Sequence, residues 1–141
     1  MGTWTPLLLV LIAASGYGFW YQRSRGRVVT STEKAHPEPN RLITAAEVNA
    51  ELGLRVTLVQ FSSAFCSPCR ATRALLTDIA ADLPDVVHVD IDAESHLDLV
   101  RKLDIRSTPT TIILNAYGME VGRAVGAPKR DQVIAALATV K

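Results

Sequence analysis

Along this chain the spacing of apolar and polar positions changes character twice. From Trp4 to Tyr21 a run of 18 residues carries no charged side chain. As a helix rising 1.5 Å per residue it reaches about 27 Å, enough for a hydrocarbon core. Trp4 stands at one end and Tyr17, Trp20 and Tyr21 crowd the other, where interfacial aromatics gather. The pattern predicts a single membrane span, with residues 1–22 as anchor and residues 4–21 in contact with the bilayer. Residues 23–40 are polar, contain Pro37 and Pro39, and show no apolar period, which predicts a tether.

From residue 41 onward short periodic segments alternate. Thr44 followed by Glu47 forms a capping-box pattern ahead of Val48 and Leu52, predicting a short helix that ends near Gly53. RVTLVQF reads as a buried strand. A long helix is expected from Cys66 to Leu83, with Ala71, Ala74, Leu75, Ile79 and Leu83 at helical spacing and Pro84 as a stop. VVHVDI predicts a second strand, a helix follows from about Ser95 to Leu103, and TTIIL predicts a third strand. NAYG then turns the chain into a fourth strand, Met119 to Val125, before a closing helix that opens on Pro128. Strands joined through helices favour parallel pairing and the short NAYG link favours a hairpin, so residues 41–141 are expected to form an α/β domain with a mixed four- to five-stranded sheet flanked by helices.

Composition narrows the function. The 15 Lys and Arg balance 14 Asp and Glu, so no excess charge points to a nucleic acid or another polyanion. Arg23, Arg25 and Arg27 follow the apolar run, and the positive-inside tendency then places the globular part in the cytoplasm. A cleaved signal peptide would require a positively charged start, which MGTWTP lacks. The two cysteines, Cys66 and Cys69, lie too close together to staple a secreted scaffold. Structural zinc calls for four ligands, and one CxxC with His36, His88 and His96 scattered elsewhere does not supply them, so no metal is expected.

Within FSSAFCSPCR, Cys66 stands at a predicted helix start, where unpaired N–H groups and the helix dipole stabilise a thiolate. Cys66 is therefore the candidate nucleophile toward a partner disulfide. Cys69, one turn later on the same face, is the candidate resolving thiol. Pro68 suits a first helical turn, where a missing N–H costs little.

A strand leading into C-x-P-C and a helix, with IRSTPTTIIL further on, resembles the thioredoxin family over residues 41–141. The resemblance implies a thioredoxin-like fold, a cis-proline at Pro109 beside the cysteines, and Thr108 and Gly126 along the substrate groove. It implies a protein-disulfide reductase with no cofactor beyond the cysteine pair, disulfide-containing protein substrates, here gathered at the membrane, and a reductase that recycles it. Where the family usually carries a buried aspartate this chain has Gln60, and His88 replaces the lysine that often accompanies that aspartate. His88 is thus a candidate for proton transfer, or else simply packed. Phe65 replaces the usual tryptophan, and Ser67 the usual glycine, with a hydroxyl able to bond a nearby thiolate. The nearest alternative is an extracytoplasmic oxidase or isomerase, which requires the opposite topology; a docking module with dispensable cysteines and a metal-binding CxxC protein are further ones.

Overall fold

The computed structural model describes residues 5–24, 28–30 and 42–140. The apolar run forms one continuous helix, α1 (Thr5–Ser24). It does not meet the expectation of a span, because no helix among the described residues is long and apolar enough to cross a membrane. The aliphatic block is confined to residues 7–14, and Ser15, Gly16, Tyr17 and Gly18 dilute the second half of the helix. Leu9, Val10, Ile12, Phe19 and Trp20 are all exposed.

The predicted tether is also interrupted. Val28–Thr30 forms β1, an edge strand antiparallel to β5 (Glu120–Val125), with Val28 opposite Ala124. Three residues are too few to display an alternating period, although the β-branched run VVT suits an edge position. Residues 25–27 and 31–40, with Trp4, lie outside the described residues.

In α2 (Ala45–Val48) the capping box is complete, Thr44 Oγ1 accepting from Glu47 N and Glu47 Oε2 accepting from Thr44 N. The helix ends a turn earlier than expected, where Asn49 takes the left-handed conformation at φ 50°. Gly53 serves a different purpose, since a Cβ there would lie 2.2 Å from Val56 O. Only glycine allows that approach.

The remaining elements are β2 (Val56–Ser62), α3 (Ser67–Asp82), β3 (Val86–Asp92), α4 (Leu97–Lys102), β4 (Thr110–Asn115) and α5 (Arg130–Thr139). The sheet order is β1-β5-β4-β2-β3, with β2 parallel to β3 and the other pairs antiparallel. Central β2 is buried along its whole length, because its alternate side chains enter two cores. Val59 and Phe61 pack with Leu99 and Leu103, while Val56 and Leu58 pack with Leu76, Ile79 and Val133. Gln60 and Ser62 continue the second of these faces, the one α3 covers.

The buried stripe of α3 is Cys69, Thr72, Leu76 and Ile79, whereas Ala71 and Ala74 are exposed. The expected face was rotated by about one residue. An apolar-only pattern passes over Thr72 and Cys69, which both turn inward.

Candidate redox site

β2 ends at Ser62, and the loop after it delivers Cys66 as the N-cap of α3. Cys66 Sγ accepts the N–H of Cys69 at 3.1 Å, so this sulfur sits among the unpaired amides of the first turn. Cys66 and Cys69 are joined by a disulfide, their Cα atoms 5.2 Å apart. Cys69 is fully buried and Cys66 only half-buried. An incoming thiolate or disulfide therefore meets the Cys66 sulfur first, which gives the pair a direction.

Pro109 immediately precedes β4, and the Thr108–Pro109 bond is cis. Thr108 Oγ1 and Ser63 Oγ lie 3.0 Å apart, tying the proline loop to the motif loop. Gly126, at φ 87°, donates its N–H to Pro109 O at 2.8 Å. Three segments distant in sequence thus meet at one end of the sheet, with Phe65 fully exposed beside them. Ser67 and Pro68 are exposed in the first turn, where the amide that reaches Cys66 Sγ belongs to Cys69 rather than to Ser67.

Gln60 is fully buried and its Nε2 donates to Cys69 O at 2.9 Å. Its place is directly behind the second cysteine, but a neutral amide takes up no proton, and the bond it makes ties β2 to the first turn of α3. Gln60 Oε1 is buried with no protein partner.

His88 stands apart. Its Nδ1 lies 3.1 Å from Thr77 Oγ1, and Thr77 is eight residues, about 12 Å, along α3 from Cys69. Burial lowers the His88 pKa, opposed by nearby Asp90 and reinforced by Arg73. A histidine held neutral in this way stabilises the fold above its unfolded value near 6.5, and that contribution is lost as pH falls through it. His88→Gln is therefore expected to flatten the loss of stability between about pH 7.5 and pH 5, read by urea unfolding at each pH. An unchanged slope would show that His88 titrates as it does in the unfolded chain.

Sequence reasoning missed the other groups around the pair. A groove of about 250 Å³ is lined by Ser62, Ser63, Cys66, Cys69, Arg73 and Asp90, among others. Arg73 follows Cys69 by four, one helical turn on, whereas Asp90 pairs with Gln60 in the β2–β3 register, a placement that only a correct strand alignment reveals. A larger groove along α4, about 550 Å³, holds neither cysteine. Among the described residues no group of three or more His, Cys, Asp or Glu side chains could hold a metal ion.

The arrangement suits thiol–disulfide exchange: a partly exposed sulfur at a helix start, a buried second sulfur one turn on, and an edge formed by Thr108, Pro109 and Gly126. Comparison with known proteins agrees with it. The Thioredoxin family model matches residues 42–139. Thioredoxin H5 of Oryza sativa is 35% identical over 82 residues, 58% of this chain and 59% of its own length. A thioredoxin of Chlamydia trachomatis is 33% identical over 79 residues, 56% of this chain and 76% of that protein. The chain thus spans about three-fifths of the length of the rice relative. Among solved structures, spinach chloroplast thioredoxin f has a TM-score of 0.55 at 28% identity, covering 61% of this chain and 76% of that one. Fasciola hepatica thioredoxin shares the fold, with a TM-score of 0.57 at 23% identity over 69% of this chain and 88% of that one. The chain belongs to the thioredoxin family.

Proposed function

We propose that this chain is a thiol–disulfide oxidoreductase that reduces disulfides in protein substrates, held at the cytoplasmic face of a membrane by α1. The observation that carries the redox reading is the asymmetry of the pair, Cys66 half-buried at a helix N-cap and Cys69 fully buried behind it. In the dithiol form the Cys66 thiolate attacks one sulfur of the substrate disulfide, the substrate S–S bond breaks, and a mixed disulfide forms. Cys69 then attacks Cys66 Sγ, restoring the internal disulfide and leaving the substrate with two thiols. A separate reductase returns the pair to the dithiol.

Attachment is supported by the exposed aliphatic side chains of α1 and by Arg23, Arg25 and Arg27, which suit anionic headgroups. The topology favours substrates at the same surface. β1 begins opposite Ala124, two residues before Gly126, so α1 joins the domain at the end of the sheet that carries the cysteines. Ser24 and Val28 are separated by three residues, a reach of roughly 14 Å at most.

One experiment tests both halves. The reduced full-length chain is mixed with a disulfide-bonded peptide, either free or displayed on vesicles containing anionic lipid. Thiol release in both formats, several-fold faster on vesicles, is expected, and Leu9→Ser with Ile12→Ser should remove only the vesicle advantage. Failure to reduce the free peptide would overturn the reductase direction, and equal rates in both formats would overturn attachment.

A further inference from the structure

Gln60 leaves the buried cysteine with no carboxylate behind it, yet Cys69 must lose a proton before it can attack. Arg73 and Asp90 bear on that step. In an α-helix, side chains lean toward the N-terminus and residues four apart are neighbours, so Arg73 lies over the turn that carries Cys69. Its guanidinium is held in place from the sheet side. Nη2 forms an ion pair with Asp90 Oδ2 and donates to Ser62 Oγ at 3.3 Å, while Ser62 Oγ donates to Asp90 Oδ1 at 2.7 Å. Ser62 is itself 3% exposed, an immobile post at the end of β2. Both oxygens of Asp90 accept bonds in this cluster, which commits the carboxylate to positioning the cation. The groove these groups line also contains Cys66 and Cys69.

We propose that Arg73, fixed by Asp90 and Ser62, is a positioning residue that supports the Cys69 thiolate in the resolving step, at a site where no carboxylate base stands behind that sulfur. Cys69 gives its proton to water and the nearby guanidinium stabilises the sulfur anion. The thiolate attacks Cys66 Sγ of the mixed disulfide, forming the Cys66–Cys69 bond. The bond from Cys66 to the substrate breaks with its electron pair on the substrate sulfur, which takes a proton from water. The pair is oxidised and the substrate reduced. The proposal deepens the redox reading and rests on it.

The other charged groups facing Asp90 are Arg73 from α3 and, along β3, His88 and Asp92. His88 is bonded to Thr77 and Asp92 to Ser95 and the Glu94 amide. Arg70 lines the same groove from α3. Arg73 is therefore the cation that this cluster fastens beside Cys69. Its side chain is 49% exposed, so solvent screens it and the effect belongs at the low end for a neighbouring charge.

The test uses the reduced full-length chain and a symmetric nitrothiobenzoate disulfide as probe. One coloured thiolate is released by the attack of Cys66 and the second by the attack of Cys69, so the two steps separate in time. For Arg73→Gln the midpoint of the second phase should rise by about one pH unit, a tenfold loss of thiolate below it. A more basic thiolate is about threefold more nucleophilic, so the second phase should run about threefold slower at neutral pH and about threefold faster at high pH. The two pH profiles must cross, which a purely structural defect would not produce. Arg73→Lys should keep the midpoint near that of the parent, and Asp90→Asn, which leaves the guanidinium held by Ser62 without its ion pair, should raise it less than Arg73→Gln does. An Arg73→Gln profile lowered at every pH without a shift of midpoint would overturn the proposal. So would an Asp90→Asn chain whose second phase is slower than that of Arg73→Gln throughout, because Asp90 would then be the proton acceptor. If the parent itself released no second thiolate, the redox reading would fail first.

Discussion

A chain carrying Cys66→Ser is expected to turn over no disulfide substrate above background, while Cys69→Ser should stop with the substrate covalently attached. The difference comes from where the sulfurs lie. Cys66 Sγ is the half-exposed cap of α3, bonded to the Cys69 amide, so a thiolate there is stabilised and reachable. A serine hydroxyl in the same place forms no mixed disulfide, and buried Cys69 cannot meet a protein substrate directly. With Cys69 replaced, the first exchange still runs but nothing attacks the Cys66 sulfur from behind. Mass spectrometry under non-reducing conditions, after mixing each reduced variant with a disulfide-bonded protein, reads the outcome. An adduct on Cys66→Ser, or full turnover by Cys69→Ser, would reverse the assigned roles.

Restoring a carboxyl group behind Cys69 should cost stability rather than supply a base. Gln60 is fully buried and donates to Cys69 O. In Gln60→Glu an ionised carboxylate would point at that carbonyl oxygen in a desolvated site, so the group is expected to fold protonated, with a pKa raised above the usual value near 4.3. A raised folded-state pKa means that the variant keeps its stability below about pH 4.3 and loses it as pH rises. Neutralising the group at pH 7 costs about 1.4 kcal/mol for each unit above 4.3, or about 3–4 kcal/mol. That is a large share of the stability of a small domain. Urea unfolding at about pH 4 and pH 7 measures it. Equal stability of parent and variant at neutral pH would show that water reaches Gln60.

Much of the fold was legible in linear order. The capping box at Thr44 and Glu47, the buried strand before the motif, the long helix after it and the hairpin through NAYG all rest on contacts between residues near each other in sequence. The misses share a cause. α1 contains aliphatic residues in the right number for a helix, but they are grouped at one end. β1 is recognisable only once β5 lies beside it, because a three-residue strand has no period of its own. The phase of α3 was misread because polar Thr72 and Cys69 turn inward, a choice made by the sheet face they cover.

The same division runs through the site. By itself the sequence determined that Cys66 caps a helix and that Cys69 follows on the same face, since both properties depend on helical geometry over a single turn. Tertiary structure alone decided that Cys69 is buried while Cys66 is reached from outside, that Gln60 holds a backbone carbonyl, and that Thr108, Pro109 and Gly126 meet the loop that delivers the pair. It also decided that Asp90, 17 residues beyond Arg73, pairs with that arginine in the groove that Cys69 also lines. Burial and charge pairing depend on which strands lie side by side, and the parallel register of β2 on β3 is set by the packing of two cores, not by any residue within the motif.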